Sequence, residues 1–220
     1  MNYYKILNAD GEPCNGGSGA WHLPKGKRPG RWMPRLRNII PCKRGYHLVE
    51  AKDILQWLQG DYIYLAEGRG EHVEHGGNKH VFSQARLIRQ AMGPRAIRLF
   101  AADCAEHVLH LWTAKYPGDD RPARAIEAAR RFAHGEIDKE QLDAAGTAAG
   151  TAAGAAAGAA AWAAAGAAAG DATGDAAWAA TWAAAGDATG DAAGDATGDA
   201  AGDAENSWQF TRLIDYLEGA

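Results

Sequence analysis

The first 82 residues alternate short hydrophobic runs with loops rich in Gly and Pro, a pattern typical of a small β-rich unit. Tyr3–Leu7 joins aromatic and branched residues ahead of a turn, and Tyr62–Glu67 alternates aromatic and aliphatic residues, so both predict strands. Gly76-Gly77 predicts a turn, with Lys79–Phe82 as the hairpin partner of the second strand. A further short strand is expected at Ile39-Ile40.

After Phe82 the hydrophobic residues recur every three or four positions, which predicts helices. Ser83 is a favourable N-cap for the first of them, and Pro94 suits the first turn of the next because that position needs no backbone N–H. Residues 208–217 have the same amphipathic spacing and are expected to dock back onto the head of the chain. The predicted helices are Asp53–Leu58, Ser83–Met92, Pro94–Lys115, Asp119–Gly135 and Trp208–Leu217.

A four-residue repeat occupies the chain from Ala144 to Ala204. Every fourth position from Gly146 to Gly202 is Gly or Trp, and the position two residues later is always Ala. Such a tract carries almost no catalytic side chains, so it predicts a structural or associative device. Its large side chains, which are expected to supply contact surface, are Trp162, Trp178 and Trp182.

Helix packing, disorder, ice binding and silk-like association are the alternatives for this tract. Each Gly costs about 1 kcal/mol relative to Ala in a helix, so the tract is a poor isolated helix. Small residues let two helix backbones approach closely, which favours packed helices. The Gly and Trp stripe drifts by about 40° per repeat around a straight helix. A paired or hairpinned arrangement is therefore expected, with a break near Gly170–Gly174 or Gly186–Gly190.

These patterns predict an α+β protein: a small β-rich N-terminal unit, then helices and a long Ala/Gly-rich region that is helical or partly disordered. The expected domains are a head (1–90), a helical hairpin (91–143), the repeat tract (144–204) and a C-terminal amphipathic helix (205–220). Residues 1–143 carry 22 Lys and Arg against 17 Asp and Glu, whereas residues 144–220 carry one Arg against ten acids. A basic head on an acidic tail is suited to bind its own tail, a partner tail or an acidic ligand.

Cysteine usage and hydropathy favour a cytoplasmic protein. Cys14, Cys42 and Cys104 form no CxxC pair and are expected to be free thiols in a reducing compartment. The N-terminus lacks the basic flank and apolar run of a signal peptide, and no run of about 18 large apolar residues predicts a membrane span. No cofactor and no membrane association are expected.

One candidate site lies on the predicted helix Pro94–Lys115, where carboxylates and imidazoles share a face. Asp103 and His107 are four residues apart, as are Glu106 and His110. Such a set can hold a metal ion or serve as acid and base. The alternative is an ordinary ion-pair surface, because no third and fourth ligands stand at motif spacing.

Two weaker candidates lie in the head. One has zinc-ligand residue types, but their spacing matches no compact zinc module, so a core thiol beside a loop histidine is the alternative. Its residues are Cys14, His22, Cys42 and His47. The other is a charged strand end that would form the rim of a pocket. Its residues are Glu67, Arg69, Glu71, His72, Glu74 and His75.

A basic segment supplies the remaining candidate. Six cations fall within thirteen residues around one Trp, and this composition is typical of a nucleic-acid surface, with cations for phosphate and a ring for base stacking. The alternative is a solvated loop, or a loop paired with the acidic tail. The residues of the basic segment are Lys25, Lys27, Arg28, Arg31, Trp32, Arg35 and Arg37.

The helical region carries three sequence blocks, Asp103–Glu106 (DCAE), Asp119–Pro122 (DDRP) and Ala125–Arg130 (AIEAAR). Through them, residues 95 to about 205 resemble a family of bacterial and phage alanine-rich immunity-like proteins. The resemblance implies an all-helical cytoplasmic domain that neutralises a toxin by binding it. The chain departs from the family pattern in its repeat tract, where Gly stands in place of Arg or Trp.

The head shows a second resemblance, carried by Trp32–Pro34, Pro41-Cys42, Gly45–Leu48, Tyr64–Glu67 and Ala85–Leu87. It is similar to small N-terminal domains of uncharacterised phage and bacterial proteins, and this implies an origin but no activity.

The leading hypothesis is a non-enzymatic protein-binding protein, either immunity-like or a phage accessory. Its partner would be another protein, such as a toxin, or a second copy held through the Ala/Gly tract. The expected contact residues are Trp112, Trp162, Trp178 and Trp182. One alternative is a nucleic-acid-associated phage protein that uses the basic segment. The other is a metal-dependent enzyme built on Asp103, His107 and His110.

Overall fold

The computed structural model of the chain describes residues 2–156 and 196–219. It has an α+β fold, as the sequence predicts, with an antiparallel sheet followed by helices. The chain divides into two compact units, a β-rich unit up to Gly93 and a helical unit from Pro94 to Gly219. Pro94 opens the first long helix, where its missing N–H has no consequence.

The β-rich unit is built on four antiparallel strands. Its elements are β1 (Tyr3–Leu7), β2 (Tyr46–Leu48), a 3-10 turn (Ala51–Asp53), α1 (Ile54–Trp57), β3 (Tyr62–His75) and β4 (Lys79–Met92). The strand order is β1-β3-β4-β2, so the long hairpin of β3 and β4 forms the centre of the sheet. Its turn places Gly76 and Gly77 at positive φ, which Gly adopts without steric cost.

The predicted strands at Tyr3–Leu7 and Tyr62–Glu67 are confirmed, and the second continues to His75. The predicted pairing of Lys79–Phe82 across the Gly turn is also confirmed. One face of the sheet packs into a hydrophobic core. Its buried members are Leu7, Trp21, Leu48, Tyr64, Ala66, Phe82, Ala85 and Leu87.

The helix predicted at Ser83–Met92 is wrong, because this segment is the second half of β4. Burial follows a period of two there: Ala85 and Leu87 are fully buried, whereas the residues beside them are partly exposed. Ser83 is not a helix cap. Its hydroxyl accepts from the Glu71 N–H at 2.9 Å, beside an irregularity in the β3–β4 register. Pairing with β3 therefore overrides a sequence that also fits helical spacing.

The short strand predicted at Ile39-Ile40 is also wrong. Ile40 makes an isolated bridge with Arg44, and the strand that joins the sheet nearby is Tyr46–Leu48. Asn38 and Cys42 both have positive φ, so the chain turns too tightly around Ile40 to run extended. The predicted helix at Asp53–Leu58 is found in shortened form as α1.

The helical unit contains the remaining elements. They are α2 (Pro94–Lys115), α3 (Arg121–Ala133), α4 (Lys139–Ala156) and α5 (Ala196–Glu218). The α2 and α3 predictions are confirmed to within two residues, and the C-terminal amphipathic helix is the last part of a longer one. Its hydrogen bonds join it to α2 within this unit. No helix among the described residues is both long and apolar enough to span a membrane.

Two short pieces of the repeat tract are helical, residues 144–156 in α4 and residues 196–204 in α5. The remainder of the tract lies outside the described residues. The predicted breaks near Gly170–Gly174 and Gly186–Gly190 therefore stay predictions, and the same holds for contacts made by Trp162, Trp178 and Trp182.

The strand assignment of β4 predicts unequal effects from two neighbouring residues. Replacing the fully buried Leu87 with Ala should lower the free energy of unfolding by about 2–5 kcal/mol, since it leaves a cavity in the core. The half-buried Ile88 is the matched control, and Ile88→Ala should cost clearly less. Urea unfolding followed by tryptophan fluorescence measures both. Equal losses would contradict the alternation of burial along β4.

Candidate functional site

Asp103 is the point at which three helices of the helical unit meet. It lies on α2 and is 8% exposed. Its Oδ1 accepts from Arg130 Nη1 of α3 at 2.6 Å. Its Oδ2 accepts from Arg212 Nε and from the Tyr216 hydroxyl of α5, each at 2.8 Å. Two guanidinium groups and a phenol therefore satisfy this carboxylate on both oxygens, and we call these four residues the Asp103 cluster.

The cluster holds Asp103 in its ionised form. Burial alone would raise the pKa of Asp103, but hydrogen bonds from Tyr216, Arg212 and Arg130 outweigh burial and lower that pKa below its ordinary value. The opposite holds for the phenol. Burial, together with its hydrogen bond to the Asp103 carboxylate, raises the pKa of Tyr216 to about 12. Tyr216 is therefore a permanent donor at neutral pH.

A second set of side chains lies one helical turn away on the same pair of helices. His107 Nδ1 of α2 lies 2.6 Å from Glu205 Oε2 of α5, and Glu205 is buried. The Trp208 indole stacks on the His107 ring with centroids 3.8 Å apart and planes only 7° from parallel. Gln209 donates to the other Glu205 oxygen at 3.0 Å. Glu205 thus anchors α5 to α2 while Trp208 covers the imidazole.

An open groove runs between these two sets and has a volume of about 430 Å³. Apart from Trp208, the residues that line it have polar or charged side chains. The lining residues are Asp103, Glu106, His107, Trp208, Thr211, Arg212 and Asp215. The side chains of Glu106 and Asp215 are 62% and 60% exposed, so each carboxylate is accessible to a partner. We call this surface the α2–α5 groove.

The residues predicted as a metal site take different roles. Asp103 is occupied by arginines, Glu106 accepts from Arg130 Nη2 at 2.5 Å, and His107 pairs with Glu205. His110 Nδ1 lies 2.9 Å from the backbone oxygen of His107. In the part of the chain that is described, no three His, Cys, Asp or Glu side chains are placed to hold a metal ion. Metal binding here stays a prediction without a described ligand set.

Trp112, predicted to contact a partner, lies in the core of the helical unit. It is 2% exposed, and its indole N–H donates to the Asp119 carbonyl at 3.0 Å. This ring therefore secures the turn between α2 and α3 and offers no surface to a partner. Trp208 is partly exposed, and it is the tryptophan that lines the groove in the described part of this unit.

The β-rich unit brings together two of the four residues predicted to bind zinc. Cys42 and His47 line one pocket, whereas the Cys14 thiol contacts the Ile6 carbonyl and His22 lies beside the Arg31 carbonyl. His47 Nε2 accepts from the Cys42 N–H at 2.9 Å, so its Nδ1 carries the proton and donates to the Gly45 carbonyl. Both ring nitrogens are thus engaged, which leaves His47 no lone pair for a metal.

The charged half of β3 forms hydrogen bonds and ring contacts along the sheet. Glu67 pairs with Arg86, and Arg69 Nε donates to Gln84 at 2.9 Å. His72 stacks on Phe82 and lies 3.1 Å from the His80 ring nitrogen. The other members of this predicted pocket rim, Glu71, Glu74 and His75, are exposed.

The basic segment lies along β4, to which it is hydrogen bonded at every third residue from Gly30 to Leu36. Its six cations are exposed, and no ion pair reaches them among the described residues. Trp32 is occupied, since the guanidinium carbons of Arg69 and Arg86 lie 3.8 and 4.7 Å from its ring. The segment therefore offers positive charge to a ligand, but its aromatic ring already has partners.

Fold and site together define the class of protein: an α+β chain whose helical unit presents an open groove between two helices that are joined by ion pairs. A scan against protein families matched residues 90–216 to the family described as "Imm-5 like putative immunity protein". The match covers more than half of the chain, and the chain belongs to this family. The matched residues extend from α2 to α5 and include nearly the whole helical unit. Searches of curated proteins and of solved structures found no match.

The sequence alone does not identify the α5 partners of Asp103 and His107, which lie about a hundred residues further along the chain. Arg212 follows Asp103 by 109 residues and Glu205 follows His107 by 98. One signal was available, because Arg212 is the single cation in the acidic stretch 144–220. A lone arginine on an amphipathic helix is compatible with an acidic partner, and only the fold shows that this partner is Asp103.

Removing the Asp103 charge should destabilise the protein strongly. Asp103→Asn removes the negative charge that two arginines share and replaces one acceptor oxygen with an NH₂ group, and we expect a loss of about 1.5–3 kcal/mol in the free energy of unfolding. Glu106→Gln is the matched control, since Glu106 contacts the same Arg130 from an exposed position and should cost less than about 1 kcal/mol. Urea unfolding at pH 7 compares the two. Similar losses of stability would show that the Asp103 cluster is not the main interaction that holds α2, α3 and α5 together.

The Asp103→Asn variant also tests how the contribution of Asp103 to stability depends on pH. Because the pKa of Asp103 is lowered on folding, its contribution is complete above the ordinary carboxyl pKa of 3.8 and is lost as pH falls through the folded-state value. The stability difference between wild type and Asp103→Asn should therefore shrink below about pH 4. A difference that stays constant down to pH 2 would contradict ionisation of Asp103 as its source.

Proposed function

We propose that the protein is an immunity factor that binds another protein, such as a toxin, through the α2–α5 groove of its helical unit. One observation carries the proposal: the segment that matches the immunity family includes every residue that lines this groove. Under this proposal the protein acts by binding, without catalysis, in the cytoplasm. The tract residues Trp162, Trp178 and Trp182 are proposed as further contacts.

The groove has the side-chain chemistry of a protein-binding surface. Tryptophan and arginine are enriched among the residues that dominate binding energy, and Trp208 and Arg212 both line the groove. Stacking on His107 and the ion pair to Asp103 hold these two side chains in place, so little conformational entropy is lost on binding. Exposed Glu106 and Asp215 favour a partner with basic residues at the rim.

Trp208→Ala should weaken the capture of the partner by about tenfold or more, because it removes a rigid aromatic contact. The candidate partner is the product of the gene beside this one, and isothermal titration calorimetry with the full-length chain measures its affinity. Trp32→Ala, which changes a tryptophan of the other unit, should bind like wild type. Circular dichroism must show that both variants remain folded.

Co-expression supplies the functional result. If the neighbouring product arrests growth, wild type should restore growth and Trp208→Ala should do so less well. Binding that is unchanged in Trp208→Ala would remove the groove from the proposal. In that case the double variant Trp178→Ala/Trp182→Ala tests whether the repeat tract carries the contact instead.

Nucleic-acid binding is a second candidate function, favoured by the exposed cations of the basic segment, which form no ion pair with the described part of the chain. Neutralising Arg28, Arg31 and Arg35 to Gln should abolish salt-dependent binding to single-stranded RNA or DNA, because each phosphate contact releases counterions. Filter binding at about 50 and 200 mM salt measures the slope. No binding by wild type at the lower salt concentration would eliminate this candidate. Glu67→Gln and Glu71→Gln, which alter nearby acids, are the controls.

A further inference from the structure

A pocket of about 570 Å³ lies in the β-rich unit, outside the part of the chain that matches the immunity family. Its walls combine aromatic rings with aliphatic side chains. Trp21, Tyr46 and Trp57 supply the rings, and Trp21 and Tyr46 meet edge to face with centroids 5.5 Å apart. The volume lies within the range typical of small-molecule sites, and an apolar lining with a few polar groups is typical of them as well.

The charge of this pocket has one sign. Four basic residues line it, and among the described residues no Asp or Glu does. The four are Lys5, Lys43, Arg44 and Lys79. Lys79 lies across the ring of Trp57 at 4.5 Å and donates to Cys42 Sγ at 3.4 Å, so its ammonium is held at the wall. A concave site with cations and low-dielectric walls attracts an anion.

Lys5 is the innermost of these cations. It lies on β1, its side chain on the sheet face opposite to those of Tyr4 and Ile6, and its Nζ stands 5.4 Å from the ring centre of Trp21. In the described residues no carboxylate lies within ion-pair distance of that Nζ. Burial lowers the pKa of Lys5 to about 8, with a smaller opposing effect from Cys14. A half-buried ammonium without a counter-ion is costly, and a bound anion would remove that cost.

The pocket wall contains a second unsatisfied donor. The indole N–H of Trp57 is buried and donates to no acceptor among the described residues. Leaving such a donor unpaired costs stability in a folded protein, and in native structures this requires an explanation. Neighbouring polar groups are already engaged. Asn15 donates to the Trp57 carbonyl at 2.8 Å, and the Cys14 thiol contacts the Ile6 carbonyl at 3.7 Å.

We propose that this pocket binds a small organic anion, with a carboxylate or phosphate group at Lys5 and a flat apolar body among Trp21, Tyr46 and Trp57. This site is independent of the α2–α5 groove and goes beyond the proposed immunity function. A neutral ligand would leave Lys5 unpaired, and a cation would meet four like charges.

Two fluorescent probes that differ in charge test the proposal on the full-length chain. The aromatic sulfonate 8-anilinonaphthalene-1-sulfonate should bind at one saturable site, and neutral N-phenyl-1-naphthylamine should bind about tenfold or more weakly. Lys5→Met should weaken sulfonate binding by a similar factor, while Lys5→Arg should retain it. Arg37→Met, which removes an exposed cation outside the pocket, should have no effect.

Benzoate and phenyl phosphate then serve as competitors, and benzyl alcohol is the neutral control. Displacement by either anion supports the proposal and tells carboxylate from phosphate. Equal sulfonate affinity in wild type and Lys5→Met overturns it, as does equal binding of the two probes. Thermal melts followed by circular dichroism guard against loss of fold. If Lys5→Met fails to fold, weak sulfonate binding by folded Lys5→Arg would count against the proposal.

A pH series adds an independent reading. The sulfonate keeps its charge, so its affinity for wild type should fall as pH rises above about 8, where Lys5 loses its proton. The other titratable groups that face Lys5 are Cys14 and His47, and the pocket is also lined by Lys43, Arg44, Tyr46 and Lys79. All six remain in Lys5→Arg, which should show no fall near pH 8. The same fall in both proteins would assign it to another group.

Discussion

The helical unit depends on one buried carboxylate. Asp103 on α2 accepts from Arg130 on α3 and from Arg212 and Tyr216 on α5, so a single charge joins three helices. The cost of removing these charges from water is offset because both oxygens of the carboxylate accept hydrogen bonds from guanidinium or phenol donors. A buried arrangement of this kind fixes orientation as well as stability, since any other docking of α5 would leave a charge unpaired.

The ion pairs between α2 and α5 also explain why a groove exists between these helices. Arg212 is drawn inward to Asp103, while Glu205 is drawn inward to His107 one turn away. Between these two anchors α5 stands against α2 with Trp208 on top of the imidazole, which leaves an open polar surface with a rigid aromatic rim. The groove therefore follows from the ion pairs, and the family match covers both together.

The two units differ in whether their buried charged groups have ion-pair partners. In the helical unit the buried acid is saturated with partners, and its pKa is lowered as a result. In the β-rich unit the pocket gathers basic side chains without an acid among its described lining, and the pKa of Lys5 falls because burial removes water that no counter-ion replaces. A buried charge that has ion-pair partners usually has a structural role, whereas a charge without a counter-ion in a cavity is typical of a binding site. By this contrast, Asp103 has a structural role and Lys5 lies in a candidate ligand site.

The amino-acid sequence by itself determined the α+β class, the helix at Pro94–Lys115 and the family, because these depend on local spacing and on contiguous blocks of residues. It did not determine Ser83–Met92, whose spacing fits a helix and a strand equally until β3 supplies a partner. The sequence also predicts that Asp103 and His107 share a helix face, but it does not identify their partners Arg212 and Glu205. Only the tertiary structure decided these points, since burial and ion pairing join residues that are far apart in the chain, and the free energy of each contact depends on the neighbours that the fold brings to it.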